Sequence, residues 1–390
     1  MTCLTQHIYY VPMEQNFDTF DRDITEKKIC LFGDLSSVHL VRWATALRDI
    51  GCKISVISYR KATLNSVEIY DISCPEMRTS QRCRKTIRLL RGIKMFFLLR
   101  RALKKIKPHL VHVHYLMNTP LAFGFWGMRN LVVSPWGNDI VYDCGQEPWA
   151  VILYKKRLLR WAKEITATTH FLAQHVQRYT SHSPVVIPFG VETAIFKRKR
   201  RGKKRYITIS FIKHLYEKYG PRYLIEAIPL ILQQCKAVVF NIVGSGPQEE
   251  YLVNLAMSLK VTSHVRFFGA IPHDQVVQVL NETDIFVMPS LYESDVFGVA
   301  AVEASSMEIP VVASDLGGIR EAVVNGETGL LIPAGNPRAI ADACLMLIRN
   351  SSLRRKMGRR GREFVKRNYE WRYCVEKMIG VYRKVLADER

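Results

Sequence analysis

The sequence lacks a Cys-X-X-Cys pair, and its nine cysteines are scattered along the 390 residues. Zinc sites and dithiol redox sites therefore have little support, because both depend on closely spaced cysteines. Several of the cysteines lie within apolar runs, where a free thiol behaves as a small hydrophobic side chain. An odd number of scattered thiols is typical of a protein of the reducing cytosol.

Long uncharged runs are also missing. Residues 110–128 lie in the longest stretch without Lys, Arg, Asp or Glu, and they contain two histidines, an asparagine and a proline. This composition favours a buried strand and a loop over a membrane-spanning helix. Residues 1–26 have neither a basic start nor an apolar run, so they predict a polar leader and no secretory signal.

Acidic residues are few, since 35 Asp and Glu stand against 57 Lys and Arg, which gives a net charge of +22. Residues 78–107 hold twelve basic residues and no acid, and a second basic run covers 197–205. In the first run the apolar residues recur at helical spacing and can share one face: Ile87, Leu90, Ile93, Phe97 and Leu98. Two interpretations stay open: a solvated surface with a charged linker, or a helix that docks residues 78–107 on an anionic membrane. Nucleic acid is a third, and no recognisable nucleic-acid-binding motif supports it.

The length allows two or three domains. Short apolar strands alternate with helical patterns, which predicts parallel sheets with helices on both faces. The pattern stops at a basic run and then restarts, so we predict a first Rossmann-like domain at 27–196, a linker at 197–205, a second Rossmann-like domain at 206–368, and a C-terminal helix at 369–390. Ligands of such sheets bind beyond the carboxyl ends of the strands, so two facing domains would form a cleft.

The most informative segment is Pro289–Ser314, with the sequence PSLYESDVFGVAAVEASSMEIPVVAS. It predicts an acidic loop after a strand, followed by a helix that begins near Phe297-Gly298. A helix N-terminus presents free N–H groups and a partial positive charge, so it can hold phosphate, and Gly298 allows close approach of the backbone. Glu303 lies in this helix among Val and Ala residues, where a carboxylate needs a partner such as a ribose hydroxyl.

This segment resembles the donor-site motif of the retaining GT-B glycosyltransferases of family four, in which two acids have seven residues between them. The resemblance implies that Asp295 contacts the hydroxyls of the donor sugar and that Glu303 holds the nucleotide ribose. Most members have Glu at the first position, and Glu293 competes with Asp295 for it; alignment on Phe297-Gly298 favours Asp295. The same resemblance implies donor contacts for three adjoining residues: Phe297, Gly298 and Val299.

Segment Ile212–Gly220, IKHLYEKYG, resembles the family's loop that brings two cations to the donor diphosphate. Lys213 and Lys218 occupy those positions. A leaving nucleoside diphosphate gains negative charge in the transition state, and fixed cations stabilise that charge. Cationic side chains would then have the electrostatic role that a metal ion has elsewhere, so no metal site is expected.

Other segments resemble the family more weakly. The resemblance implies that Gly33 contacts the donor phosphates from the first domain and that His114 lines the cleft near the donor sugar. A packed core histidine is the alternative for His114, and more so for His112. Turns around the nucleotide base would include Gly244, Gly269 and Ile271, and the acceptor side would include Gly137, Asp139 and Glu321. For Gly137 and Asp139, a purely structural turn is an equal alternative.

The resemblance implies an α/β protein with the GT-B fold: two doubly wound Rossmann-like domains that face a cleft, with the C-terminal helix returning to the first domain. The implied activity is transfer of a sugar, with retention and without metal, from a nucleotide sugar to a glycan or lipid-linked acceptor in cell-envelope polysaccharide or glycolipid synthesis. A UDP-sugar is the first candidate donor. The donor is a substrate, so no cofactor is expected, and nucleic acid is not an expected partner.

The expected location is the cytoplasm, with peripheral attachment to the inner face of the membrane. Two alternatives stay open for the activity. One is another GT-B enzyme of nucleotide sugars, such as an epimerase. The other is a non-enzymatic basic protein that binds lipid or nucleic acid, which would leave the acid pair and the two lysines unexplained.

Overall fold

A computed structural model describes residues 22–73, 84–116, 120–141, 147–199, 202 and 204–387. Most of the predicted polar leader and the first residues of the basic segment 78–107 lie outside the described residues. The chain divides into two compact units. The first unit comprises the residues up to Ile187 together with those from Val375 onward, and the second unit is Pro188–Cys374.

The first unit contains a parallel sheet of seven strands in the order β3-β2-β1-β4-β5-β6-β7. The strands are β1 (Lys28–Gly33), β2 (Lys53–Ser58), β3 (Glu68–Asp71), β4 (Leu110–His114), β5 (Leu131–Ser134), β6 (Glu164–Ala167) and β7 (Val185–Val186). The helices are α1 (Arg22–Thr25), α2 (Val38–Asp49), α3 (Arg84–Ile106), α4 (Trp149–Trp161) and α5 (His170–Val176), with a 3₁₀ turn at Pro120–Phe125. The strand order reverses between β1 and β4, which makes the sheet doubly wound.

The second unit contains a parallel sheet of six strands in the order β10-β9-β8-β11-β12-β13. The strands are β8 (Ile207–Ile212), β9 (Val238–Val243), β10 (Val265–Gly269), β11 (Ile285–Met288), β12 (Val311–Ser314) and β13 (Gly329–Ile332). The helices are α6 (Pro221–Gln234), α7 (Glu249–Ser258), α8 (His273–Glu282), α9 (Val299–Ser306), α10 (Ile319–Ala322), α11 (Pro337–Arg349) and α12 (Ser351–Asn368), with 3₁₀ turns at Glu217–Tyr219 and Thr262–His264. The last helix, α13 (Trp371–Ala387), begins at the end of this unit and lies mostly in the first unit. Here the order reverses between β8 and β11, so the prediction of two doubly wound units is confirmed.

The unit boundary precedes the boundary that we placed at residue 196. Val191 and Glu370 form a β-bridge, and the Arg362 guanidinium donates hydrogen bonds to the carbonyls of Thr193 and Phe196. These bonds hold residues 188–196 in the second unit. The predicted linker packs there too, since Arg198 donates to the Glu308 and Thr283 carbonyls.

The C-terminal helix α13 joins the first unit, as expected. The Tyr382 hydroxyl lies 2.6 Å from Nδ1 of His112, and Lys163 Nζ donates to the Val385 carbonyl at 2.7 Å. Among the helices of the described residues, none is long and apolar enough to cross a membrane.

Two histidines of β4 are buried side by side in the first unit, with ring centroids 3.8 Å apart. His112 hydrogen-bonds with Tyr382 and with the Ser134 hydroxyl. Neither ring nitrogen of His114 has a hydrogen-bond partner among the residues that the structure describes. Burial lowers the pKa of His114 to about 3 and also lowers the pKa of His112, so both rings are neutral near pH 7.

Helix α12 packs closely on the segment after α9 because Gly358 has no side chain. A Cβ at position 358 would lie 2.0 Å from the Glu308 carbonyl oxygen. We expect Gly358→Ala to lower the free energy of unfolding by about 1–3 kcal/mol, through overpacking against backbone. Gly380→Ala is the matched control, because Gly380 is also helical and a Cβ there would contact nothing. In the control, the free energy of unfolding should rise by about 0.5–1 kcal/mol. Chemical denaturation of both variants measures the two changes.

The buried histidines predict a loss of stability in acid. The unfolded chain protonates His114 below its ordinary pKa of 6.5, whereas the folded protein excludes that proton down to about pH 3. The unfolding free energy should therefore fall, as pH drops below 6.5, by about 1.4 kcal/mol per pH unit for each such histidine. Urea denaturation at several pH values gives the unfolding free energy at each pH. The slope of that free energy against pH should be smaller by this amount in His114→Leu than in the wild type. His182→Asn, at an exposed position, should keep the wild-type slope; equal slopes for all three proteins would contradict the prediction.

Candidate active site

The site in the second unit lies where the strand order reverses. β8 and β11 are hydrogen-bonded neighbours, and their carboxyl ends lead to the loops that contain Lys213 and Asp295. Because parallel strands end at the same edge of a sheet, residues 82 positions apart in the chain come into contact there. The pairing of these two strands therefore creates the centre of the site.

An ion pair joins the two loops. Lys213 Nζ lies 2.5 Å from Oδ1 of Asp295 and also bonds Oδ2. The Ser290 hydroxyl donates to Oδ2 at 2.6 Å, so two donors hold the carboxylate. Both charged side chains are mostly buried. Glu293, the competing first acid, is exposed, so in this structure Asp295 is the acid that pairs with the cation loop.

Tyr219 lies between the two lysines of that loop. Its ring centroid is 4.4 Å from Lys213 Nζ and 4.9 Å from Lys218 Nζ, both within the range of a cation–π interaction. The Leu291 N–H donates to the Lys218 carbonyl at 2.8 Å, which ties the cation loop to the acidic loop. The structure thus brings Lys213, Lys218 and Asp295 together, and Tyr219 is a contact that sequence reasoning missed.

Two glycines allow close backbone approaches to the cation loop, one from the acidic loop and one from the turn after β9. A Cβ at Gly220, where φ is +65°, would lie 2.0 Å from the Pro289 carbonyl oxygen. A Cβ at Gly244 would lie equally close, 2.0 Å, to the Lys213 carbonyl oxygen. Gly244 was predicted to surround the nucleotide base, and the structure gives it a different requirement: its missing side chain makes room for the cation loop.

Glu303 lies in the second turn of α9 and is buried, as the apolar sequence around it predicted. Its Oε1 accepts a hydrogen bond from His273 Nε2 at 2.8 Å. The expected need for a partner is therefore met within the protein. His273 begins α8, just after Ile271 and Pro272. No spacing in the sequence links position 273 to position 303, so sequence reasoning could not find this pair.

Other predicted donor residues surround this centre in different ways. Gly298 starts α9 with φ +69°, and a Cβ there would lie 2.8 Å from Cε of Met288. The Phe297 ring is buried between Phe189 and Tyr369, so it packs in the protein and is not presented to a ligand. Val299 and Ile271 are half-buried. Gly269 accepts a hydrogen bond from the Gly244 N–H at 2.8 Å, which joins the two turns.

Glu321, expected on the acceptor side, is half-buried on α10 in the second unit. Its carbonyl oxygen accepts a hydrogen bond from the Tyr369 hydroxyl at 2.5 Å.

In the first unit, Gly33 and His114 also lie where the strand order reverses, at the ends of β1 and β4. A Cβ at Gly33 would lie 3.3 Å from the His114 carbonyl oxygen. The His114 ring lies 5.7 Å from the ring of Trp136, in the turn that contains Gly137. The structure therefore brings Gly33, His114 and the 136–139 turn into one region of this unit.

Asp139 differs from its predicted role. Its carboxylate is buried and accepts backbone hydrogen bonds from Leu116 at 2.8 Å, Trp136 at 3.0 Å and Gly137 at 2.7 Å. Burial raises the pKa of Asp139 above its ordinary value, although these bonds oppose the rise. Both oxygens are engaged, so Asp139 organises the turn, and its carboxylate is not presented to an acceptor.

Comparison with known proteins identifies the family of the chain. The family described as Glycosyl transferases group 1 matches residues 192–364, and Glycosyl transferase 4-like matches residues 28–169. The chain is 30% identical over 308 residues to a D-inositol 3-phosphate glycosyltransferase of Corynebacterium urealyticum, and the alignment covers 71% of each protein.

A phosphatidyl-myo-inositol mannosyltransferase of Mycobacterium leprae is 34% identical over 179 residues, or 46% of each protein. The chain thus spans about half the length of this and several other curated relatives that it matches. Among solved structures, Anabaena Alr3699/HepE in complex with UDP and glucose has a TM-score of 0.72 at 16% identity, covering 91% of this chain and 98% of that one. The chain therefore belongs to the family of group 1 glycosyl transferases, and its two doubly wound units are those of the GT-B fold.

Proposed function

We propose that the protein transfers a sugar from a nucleotide sugar to an acceptor hydroxyl, with retention of the anomeric configuration. The observation that carries the proposal is the Lys213–Asp295 ion pair, with Lys218 beside the same tyrosine. Two cations and a carboxylate at one point match what a sugar diphosphate offers: an anionic leaving group next to hydroxyls. A UDP-sugar is the proposed donor, and the relative Alr3699/HepE was solved with UDP and glucose.

In the proposed reaction, the bond from the anomeric carbon to the diphosphate oxygen breaks as the acceptor oxygen bonds that carbon on the same face. The acceptor proton passes to the departing diphosphate. Lys213 and Lys218 stabilise the negative charge that develops on the diphosphate, and they do so without a metal ion. Asp295, which Lys213 and Ser290 already hold, accepts hydrogen bonds from the sugar hydroxyls.

We propose that the Glu303 carboxylate accepts hydrogen bonds from the ribose hydroxyls. The hydrogen bond from His273 fixes the orientation of that carboxylate. His114 is proposed to lie beside the donor sugar, where its neutral ring can accept or donate one hydrogen bond. The two unpartnered ring nitrogens support this role, because a buried polar atom without a partner is costly. The proposed acceptor is a glycan or a lipid-linked molecule, and segment 78–107 is the proposed contact with an anionic membrane.

Two assays separate this proposal from its alternatives. An epimerase would isomerise the nucleotide sugar without any acceptor, so product analysis by NMR would show a new donor and no free nucleoside diphosphate. A non-enzymatic binding protein would show no affinity for nucleotide sugars.

Binding of the donor nucleotide should raise the thermal stability of the protein. A ligand that binds only the folded state adds about 2.7 kcal/mol at a concentration a hundred times its Kd. In a panel of UDP, GDP and ADP with their sugars, we expect a shift with UDP and its sugar, and the same shift after EDTA is added. A shift with none of the nucleotides would refute the donor site, and loss of the shift in EDTA would refute independence of metal.

Removing a diphosphate cation should slow turnover far more than it lowers stability. Lys218→Ala should lower kcat by about 10²–10³-fold, the cost typical of losing one fixed stabilising donor. Lys236→Ala is the matched control, an exposed lysine of the same unit away from these loops. Steady-state kinetics measure the loss of turnover in both variants, and thermal melts measure their loss of stability. Wild-type turnover in Lys218→Ala would remove Lys218 from the mechanism.

A further inference from the structure

The outer face of α3 carries apolar side chains where a surface helix ordinarily carries polar ones. Leu90, Ile93 and Phe97 are spaced by three and four residues, so they lie on one face of the helix, and all three are exposed, Phe97 by 65%. The opposite face supplies the core of the first unit: Leu99, Ala102, Leu103 and Ile106. These three residues of the apolar stripe that the sequence predicted therefore point outward.

Basic side chains share that outer face. Lys94 lies three residues before Phe97, and Arg101 and Lys104 lie four and seven residues after it; all three are exposed. Residues 77–138 contain no Asp or Glu, so no acid of this whole segment offsets the charge. The face combines apolar insertion and positive charge, which is the composition of helices that lie in a membrane interface.

The 3₁₀ turn at Pro120–Phe125 extends this face. The Arg100 guanidinium donates to the Gly124 carbonyl at 3.2 Å and to the Trp126 carbonyl at 3.0 Å. A Cβ at Gly124 would lie 2.5 Å from Cδ2 of Leu99, so the turn packs directly on α3. Just after the turn, the side chain of Trp126 is 70% exposed.

Helix α4 adjoins the turn on another side, where the Phe123 and Trp161 rings meet edge to face at 6.0 Å. Four of its exposed residues recur at spacings of four, three and four along one face: Trp149, Leu153, Lys156 and Arg160. Trp149 is 78% exposed, and α4 also contains no acid. Helices α3 and α4 thus repeat one pattern of exposed aromatic, aliphatic and basic side chains, and the turn that packs on both adds the exposed rings of Phe123 and Trp126.

We propose that α3, the 3₁₀ turn and α4 form a docking surface for an anionic lipid bilayer. Phe97, Trp126 and Trp149 insert at the level of the headgroups, and the neighbouring lysines and arginines pair with anionic lipids. Tryptophan favours this depth because its ring is apolar and its N–H can still reach water. Docking is independent of the donor chemistry, and only its consequence, that the acceptor is presented at a membrane surface, rests on the proposed function.

Charge and composition favour lipid over other occupants. Nucleic acid would use the positive charge and could stack on the aromatic rings, but it offers nothing apolar to Leu90, Ile93 and Leu153. Protein interfaces are depleted in lysine at their centres, whereas here lysines alternate with the apolar residues. A bilayer satisfies both groups at once, because acyl chains lie directly beneath the charged headgroups.

The first experiment uses the wild-type full chain and vesicles of phosphatidylcholine with or without phosphatidylglycerol. We expect sedimentation with the anionic vesicles only, and quenching of tryptophan fluorescence when the lipids carry bromine on their acyl chains. Trp126→Phe and Trp149→Phe should each remove part of that quenching. Binding without quenching would overturn insertion, and equal binding to both kinds of vesicle would overturn the electrostatic part.

The second experiment removes either charge or apolar side chains. The triple variant Lys94→Gln, Arg101→Gln, Lys104→Gln should bind anionic vesicles roughly a hundredfold more weakly. Its control removes three equally exposed charges from α12 in the second unit: Lys356→Gln, Arg359→Gln, Arg360→Gln. Phe97→Ser with Trp126→Ser should also lose binding, while the pair Phe268→Ser and Tyr373→Ser, at exposed positions of the second unit, should retain it.

An equal loss of vesicle binding in a test variant and its control would overturn the proposed surface. Net charge or non-specific hydrophobic adsorption would then explain the binding. A change of oligomeric state in the test variants, without a change in vesicle binding, would assign the face to a second copy of the chain instead. All variants should keep the thermal shift with UDP. Wild-type vesicle binding without any nucleotide shift would refute the donor proposal alone, so the two failures are distinguishable.

Discussion

The candidate active site depends on one ion pair, between Lys213 and Asp295, and that pair depends on the hydrogen-bonded neighbours β8 and β11. Each residue lies in the loop after one of these strands, and the loops leave the sheet at the point where the strand order reverses. There the helices that follow go to opposite faces of the sheet and leave the strand ends open. The topology therefore creates both the space for a ligand and the contact between cation and carboxylate.

Close backbone approaches then hold the cation loop in place. Gly220 lets it pass over the Pro289 carbonyl, and Gly244 lets the next turn rest against the carbonyl of Lys213. Fixed charges are effective in catalysis because they need not reorient when charge develops on the leaving group. Tyr219 serves the same end, since its ring contacts both ammonium groups. The glycines of this region are thus as much a part of the electrostatic arrangement as the lysines.

Local patterns in the sequence predicted the elements and several members of the site. Strand–helix alternation predicted two doubly wound sheets, and Gly298 predicted the start of α9. The buried position of Glu303 followed from the apolar residues around it. Contacts between distant segments could not be predicted in this way. His273 reaches Glu303 from another helix, and three backbone N–H groups bind the Asp139 carboxylate into a turn.

The sequence by itself determined the alternation of strands and helices, the concentration of positive charge, and the lysines and acids of the candidate site, because all of these depend on residue type and short spacing. Only the tertiary structure decided which acid pairs with Lys213, which partner Glu303 has, and that Leu90, Ile93 and Phe97 of α3 face outward. The physical reason is that periodicity gives a helix an apolar face without saying what covers it. Strand pairing and packing between distant segments determine that, and they are properties of the whole fold.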